Sequence, residues 1–183
     1  MATAKTGSFY LTETVTLGGG STAGSRVSGT IDLGAYVNVA TGQAVAIESV
    51  DIVIQQGTNF QQYGSDLLVG RGSISTQLTD LNPGSKFVRA DNQSLIASSA
   101  LNIDDGANVL SHMVDLYPDN HGSASLSEAF MVVNDSLYFT VGNDGATASP
   151  DDIFITARVK CRIAKLSSKD WMAIAIQSTA SDN

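Results

Sequence analysis

The sequence predicts an all-β protein, a single jelly roll or antiparallel β-sandwich of about eight strands that ends in a short helix. Several segments alternate apolar and polar residues with a period of two, which is the pattern of half-buried strands. Turn sequences such as Asn82-Pro83-Gly84 separate them. Fifteen of the eighteen acids are Asp, which favours turns, and only three are Glu, which favours helices. A chain of 183 residues fits one domain, so we expect residues 1–183 to form a single jelly-roll domain with a disordered tail at 178–183.

The first strand is predicted at residues 9–17, where Phe and Leu alternate with Tyr and Thr before the run Gly18-Gly19-Gly20. Glu13 falls on the apolar face of this strand. A buried carboxylate needs a partner, so Glu13 either pairs with an Arg or marks an edge strand whose inward charge discourages unwanted pairing.

The middle of the chain predicts a series of strands separated by turns. Residues 44–55 form a strand rich in Val and Ile that changes face near Ser49-Val50-Asp51, which indicates a β-bulge. Residues 57–72 predict a long loop or a short helical turn. Asn134-Asp135-Ser136 is predicted to be a tight hairpin connection. The remaining predicted strands are residues 27–33, 73–78, 86–90, 94–97, 109–116, 128–133 and 137–142.

The last strand, residues 153–163, carries the most informative pattern of the chain. Its odd-numbered positions are apolar or small and predict a buried face, whereas Arg158, Lys160 and Arg162 point together from the other face. A row of like charges calls for an anionic partner. We therefore assign Arg158, Lys160, Arg162 and Glu13 as candidate subunit-interface residues. The partner stays open between another strand, another subunit, nucleic acid and a lipid surface.

The C-terminal segment predicts a helix. Ser167 or Ser168 can cap it, Asp170 lies in its first turn, and the apolar residues 171–176 follow. Met172, Ile174 and Ile176 also alternate, so a final strand over these residues is the alternative. We expect Trp171 to anchor the segment by packing.

Charge is sparse and unevenly placed. Charged residues make up 15% of the chain, below the usual quarter or so. Residues 158–183 hold five of the ten cations and two of the eighteen acids, so this part carries +3 and the remainder −11. Opposite charges on two regions favour side-by-side or head-to-tail packing of copies. Internal pairing of the two regions is an equal alternative.

Cysteine content and hydropathy indicate a protein made in a cytosol. Cys161, the only cysteine, lies on the apolar face of the last strand and is expected to be a buried small hydrophobe. The first eight residues lack the apolar core of a signal peptide, and no apolar run approaches the roughly 20 residues of a membrane span.

One candidate metal site is a local group of His112, Asp115, Asp119 and His121. A polar loop is the more common explanation of such a group. A weak structural calcium site could use Asp119, Asp144, Asp151 or Asp152, and apart from that no cofactor is expected.

The sequence argues against catalysis and against sequence-specific nucleic-acid binding. Neither histidine is accompanied by a Gly-x-Ser-x-Gly elbow, and the glycines at 18–20 are not followed by the Lys of a phosphate-binding loop. The tyrosines are not interleaved with the cations, and an acidic domain repels phosphate. We therefore expect that the protein is not an enzyme.

The C-terminal third carries a resemblance to a known family. It runs from Leu137-Tyr138-Phe139-Thr140-Val141 through an Asp/Gly loop and residues 153–163 to Leu166-Ser167-Ser168-Lys169-Asp170-Trp171. In size, strand order and this third, the chain resembles the small single jelly-roll major capsid proteins of tailless icosahedral, membrane-containing viruses of archaea and bacteria (sphaerolipovirus-like).

The resemblance implies a capsid subunit found in the virion that associates with itself or with a second capsid protein. It also implies that such a shell lies over an internal viral membrane and packaged DNA. The alternative is a carbohydrate-binding or receptor-binding β-sandwich, in which loops 57–72 and 104–119 would carry recognition. Fold alone does not decide between these functions.

Overall fold

The computed structural model describes residues 2–113, 115–116 and 129–180. Within these residues the chain forms twelve strands, one 3-10 turn at Asp105–Ala107 and one α-helix. The strands are β1 (Thr3–Ala4), β2 (Phe9–Leu17), β3 (Arg26–Asp32), β4 (Gln43–Gln56), β5 (Leu68–Val69), β6 (Arg71–Thr79), β7 (Leu95–Asp104), β8 (Val109–His112), β9 (Phe130–Val132), β10 (Ser136–Asp144), β11 (Thr147–Ala148) and β12 (Ile153–Lys165), and the helix is α1 (Ser168–Ala180).

The strands form two antiparallel sheets whose order is that of a jelly roll. The first sheet runs β2-β12-β4-β9, with β1 beside the far end of β12, and the second runs β3-β10-β6-β7-β8. β5 and β11 make a separate two-stranded ribbon. Without β1, β8 and this ribbon, eight strands remain. When these eight are renumbered 1 to 8 in chain order, their spatial order is 1-8-3-6 in the first sheet and 2-7-4-5 in the second, which is the order of a jelly roll. The predicted all-β jelly roll with a C-terminal helix is therefore confirmed.

The core lies between the two sheets. The odd-numbered residues of β12, from Ile153 to Cys161, are fully buried against apolar side chains of the second sheet such as Phe139 and Leu78. Cys161 is one of them, as predicted, and burial raises the pKa of its thiol to about 12. The thiol therefore stays protonated and unreactive at neutral pH.

β4 contains the predicted bulge. Lys160 pairs with Ser49 and Cys161 with Ile47, so Glu48 is the extra residue. Before it Val45 and Ile47 face the core, and after it Val50 does, which explains the change of face in the sequence pattern.

Helix α1 packs on the outer face of the first sheet. Trp171 and Ile174 contact a small cluster of Ala44, Val133 and Leu166, on the opposite side of the strands from the core residues Val45 and Val132. Ser167 caps the helix, because its Oγ accepts a hydrogen bond of 3.1 Å from the Asp170 backbone N–H. The helix, and not the alternative strand, is thus the structure of this segment, with Trp171 as the predicted anchor.

Four local predictions differ from the structure. Residues 86–90 form no strand. The side-chain amide of Gln77 forms hydrogen bonds with the backbone N–H and the backbone C=O of Val88. The ring of Phe87 lies against the Arg26 guanidinium. The segment 57–72 contains the short strand β5 and the start of β6. Asn134-Asp135-Ser136 is not a hairpin, because β9 and β10 belong to different sheets and the segment crosses between them. Finally, α1 continues to Ala180, into the segment predicted to be a disordered tail; residues 181–183 lie outside the described residues.

Candidate functional site

The predicted basic row lies on the outer face of the first sheet. Arg158, Lys160 and Arg162 occupy alternate positions of β12, and the residues between them, Val159 and Cys161, are in the core. β12 is flanked by β2 on one side and β4 on the other, so the row runs along the middle of the sheet. The period-two pattern thus places all three cations on one face, as expected.

Two of these cations are neutralised within the chain by Glu48. The Arg162 guanidinium lies against one carboxylate oxygen of Glu48, and Lys160 Nζ is 3.6 Å from the other. The Ser8 hydroxyl donates a 2.8 Å hydrogen bond to that second oxygen. Glu48 is only 3% exposed, so the bulge turns a buried carboxylate toward two cations on the neighbouring strand. This is internal pairing, one of the two alternatives that the charge distribution left open.

Arg158 is in a different situation. It is exposed, and its guanidinium lies 5.1 Å from the centre of the Tyr10 ring on β2, a cation–π contact. Its register neighbours are Thr12 on β2 and Asp51 on β4. Within the part of the chain that the structure describes, Arg158 makes no ion pair. Of the three cations, Arg158 is therefore the one best placed to form an ion pair with a partner molecule.

Glu13 is not brought together with the three cations. It pairs in register with the buried Ala157 of β12, so its side chain lies on the inner face of the sheet while the cations lie on the outer face. It sits against Gly29 of β3, where a β-carbon would come within 2.8 Å of the Glu13 γ-carbon. In the described residues β2 is an edge strand, which agrees with the expectation of an inward charge at an edge.

The candidate metal ligands are only partly described. His112 Nδ1 lies 3.2 Å from Asp115 Oδ2, and the other oxygen of Asp115 accepts a 3.2 Å hydrogen bond from the Ala100 backbone N–H. Asp119 and His121 lie outside the described residues. Among the residues that are described, no three His, Cys, Asp or Glu side chains converge.

Of the four aspartates considered for calcium, Asp119 lies outside the described residues, and Asp144 and Asp152 are engaged in other contacts. Asp144 accepts two hydrogen bonds from Arg26, and Asp152 accepts one of 2.8 Å from the Gly19 backbone N–H. Asp144 therefore joins the ends of β3 and β10, and Asp152 fastens the loop that follows β2.

Sequence reasoning missed a second buried carboxylate, Asp80, which follows β6. It is 2% exposed, and its Oδ2 accepts hydrogen bonds from Ser178 Oγ at 2.9 Å and from Asn134 Nδ2 at 3.2 Å. Burial raises the pKa of this carboxyl to about 6. The cluster joins the end of α1 to the two sheets. Nothing in the sequence distinguishes Asp80 from the turn aspartates, whereas Glu48 stands out as the one Glu in a Val/Ile-rich strand.

Comparison with solved structures gives distant likenesses. The VP1 protein of Trichodysplasia spinulosa-associated polyomavirus, in complex with GM1 oligosaccharide, aligns over 86% of this chain and 96% of its own with 8% identity and a TM-score of 0.43. A chain of Desmodium yellow mottle tymovirus aligns over 88% and 90% with 12% identity and a TM-score of 0.34. A chain of turnip yellow mosaic virus aligns over 87% and 80% with 9% identity and a TM-score of 0.36. Scores this low establish nothing by themselves, so the jelly-roll assignment rests on the strand order of this chain.

No family model matches the sequence, and no curated protein matches it. Among the described residues, α1 is too short to span a bilayer, and no other helix is a candidate.

Proposed function

We propose that this chain is a structural subunit of an icosahedral virus capsid, which associates with copies of itself or with a second coat protein and has no enzymatic activity. The observation that carries the proposal is the outer face of the first sheet, where Arg158 lies over Tyr10 beside a row of exposed threonines on a jelly-roll framework. In the described residues this face carries one exposed cation, Arg158, with the exposed Asp51 beside it. It suits contact with a neighbouring protein better than it suits chemistry.

The three predicted cations take separate roles in this proposal. Lys160 and Arg162 hold Glu48 and keep the sheet in shape, while Arg158 presents its charge to an acid on the neighbouring subunit. An exposed Arg that already rests on an aromatic ring loses little conformational freedom when it binds, which favours its use at an interface.

The narrower class that we propose is the coat of a tailless icosahedral virus with an internal membrane. Its support is the size of the chain, the strand series and the C-terminal third that ends in Ser167 and Trp171. On this proposal the subunit resides in the virion, and contact with the membrane or with packaged DNA would be salt-dependent and free of sequence preference.

Electron microscopy with light scattering tests the proposal. Concentrated protein at low salt should form rings, sheets or closed shells in negative stain, and Arg158→Glu should reduce them. A wild-type protein that remains monomeric under all these conditions, alone and with its candidate partner coat protein, would contradict it.

One observation favours a carbohydrate-binding module as the second candidate. A shallow pocket of about 200 Å³ lies on the second sheet and is lined by Arg71, Asn102, Asp104, Val109 and Ser111. These residues adjoin the loops expected to carry recognition, and polar groups beside an apolar side chain suit a sugar. Binding to a glycan array that is lost in Asn102→Ala, with no assembly of the wild type, would favour this candidate.

A further inference from the structure

Six of the eleven exposed large apolar side chains of the described residues lie in two segments, residues 63–69 and 109–116. We call this the β8 side and define it by Tyr63, Val69, Val109, Leu110, Met113 and Leu116, which are between 37% and 60% exposed. Its two chain segments touch, because a β-carbon at Gly64 would come within 2.8 Å of Leu110 Cδ2. Exposed apolar side chains grouped in two touching segments favour the binding of another molecule.

The strand β8 also has backbone N–H and C=O groups that no other strand of the described residues pairs on its outer side. In the described residues β8 is bonded only to β7, and all four of its residues are exposed. Edge strands are usually protected by Lys, Pro or an inward charge. β2 has such protection in Glu13, whereas β8 contains neither Lys nor Pro. No other strand of the described residues covers this edge, so it can join a neighbouring surface.

Acidic residues surround the β8 side. Asp66, Asp104, Asp105 and Asp115 lie in the same segments as the apolar residues, against Arg71 and His112. Arg71 is paired with Asp104 at 2.7 Å, and His112 with Asp115 at 3.2 Å. Asp66 and Asp105 form no ion pair within the described residues, so their negative charges can interact with a partner. The outer face of the first sheet, which includes the Tyr10–Arg158 pair, carries the three cations of β12 against Glu48 and Asp51, a net charge of +1.

We propose that the β8 side binds the Tyr10–Arg158 face of a second copy of this chain. The inference deepens the proposed function and rests on it. This contact between two different surfaces is favoured over a contact between the β8 sides of two copies. A contact between two β8 sides would bring Asp66 and Asp105 of one copy toward the same acids of the other. Such head-to-tail contacts close into rings when the rotation between copies permits, as a capsomer requires.

A matched pair of apolar substitutions tests the surface. Met113 on the β8 side and Met172 on α1 are both 59% exposed. Met113→Lys should lower the association constant by about tenfold or more, since it places a cation where the neighbour presents Arg158. Met172→Lys should assemble like the wild type. Equal assembly of wild type and Met113→Lys, or loss only in Met172→Lys, would overturn the inference and leave the proposed function standing.

Charge exchange tests the pairing of the two faces. The double variant Asp66→Lys/Asp105→Lys and the single variant Arg158→Glu should each fail to assemble alone, because like charges then meet in every contact. Mixed in equal amounts they should regain assembly. In the mixture the two new lysines of the double variant would face the new glutamate of the single variant, and the unchanged acids would face the unchanged Arg158.

The outcomes of the mixing experiment are distinct. Mass recovered only in the mixture, with circular dichroism showing both variants folded, supports the head-to-tail contact. A folded mixture that does not assemble while the wild type does overturns the pairing. A wild type that never assembles alone overturns the pairing, and one that also stays monomeric with a second coat protein overturns the proposed function as well.

Discussion

At the scale of single residues, Glu48 is the centre of the outer sheet face. Its carboxylate is buried, and it is balanced by Arg162, Lys160 and the Ser8 hydroxyl. A buried charge costs several kcal/mol of desolvation and is tolerated only when its partners are in place. The cluster therefore ties together three neighbouring parts of the first sheet.

Replacing Glu48 should be strongly destabilising. Glu48→Ala leaves two cations facing each other without a counter-charge, so we expect a loss of about 3 kcal/mol in the free energy of unfolding, measured by urea denaturation. Asp51→Ala, an exposed carboxylate on the same strand, is the control and should cost less than about 0.5 kcal/mol. Equal losses for the two variants would show that the cluster does not stabilise the fold.

Asp80 should make stability depend on pH. Its folded-state pKa of about 6 lies above the ordinary 3.8, so the native protein binds this proton more tightly than the unfolded chain. The resulting stability is fully present below about pH 4 and is lost as pH rises through 6. Relative to Asp80→Asn, which does not titrate, the wild type should lose roughly 2 to 3 kcal/mol between about pH 4 and pH 7.

Urea denaturation across this pH range measures the Asp80 effect. Asp91→Asn removes an exposed carboxylate paired with Arg89 and should keep the wild-type profile. Parallel profiles for wild type and Asp80→Asn would exclude a raised pKa at this position.

The contacts of Glu48 and Asp80 show which features of single residues could be predicted from the sequence. The period of β12 predicts where Arg158, Lys160 and Arg162 point, because side chains alternate strictly across a strand. It does not predict that Glu48 neutralises two of them, since that contact depends on strand register and on a bulge that places Glu48 beside Arg162. Asp80 could not be foreseen, because its burial depends on the packing of α1.

At the scale of secondary structure elements, alternation located most strands and failed where side chains replace main-chain pairing. Residues 86–90 have strand-like composition, yet Gln77 satisfies Val88 through its side-chain amide. The Asn134 segment has turn composition, but Asn134 bonds to Asp80 and the chain changes sheet there. Turn residues predict a reversal or a crossing equally well, and only the partner strands decide which.

Helix α1 depends on its cap and on one apolar stripe. Ser167→Ala removes the oxygen that accepts the Asp170 N–H, so the helix should lose about 1 kcal/mol. Native-state hydrogen exchange should show faster exchange in α1 while β12 is unchanged. Ser168→Ala, with no capping role, is the control, and equal exchange in the two variants would contradict the assignment of Ser167 as the cap.

At the scale of the whole molecule, the jelly roll separates two surfaces of opposite character. The first sheet presents Arg158 over Tyr10, and the β8 side presents apolar residues among aspartates. The sequence already indicates this asymmetry, because five of the ten cations fall in residues 158–183. It could not indicate which cations are free or that β8 lies at an edge, since both follow from the sheet order.

The association of wild-type chains should weaken with salt. Exposed charges are screened over about 10 Å at 0.1 M ionic strength and about 3 Å at 1 M, whereas the buried Glu48 cluster is screened far less. Assembly should therefore fall as salt rises while the melting temperature of the subunit changes little. A parallel fall of both would place the salt effect in folding and not in the contact between copies.

The most direct test of the central claim is the mass distribution of the wild-type protein, measured by light scattering from about 0.02 to 0.5 M NaCl. We expect large species at low salt that dissociate to subunits as salt increases. A single small species of constant mass over the whole range would contradict self-association through complementary charged faces.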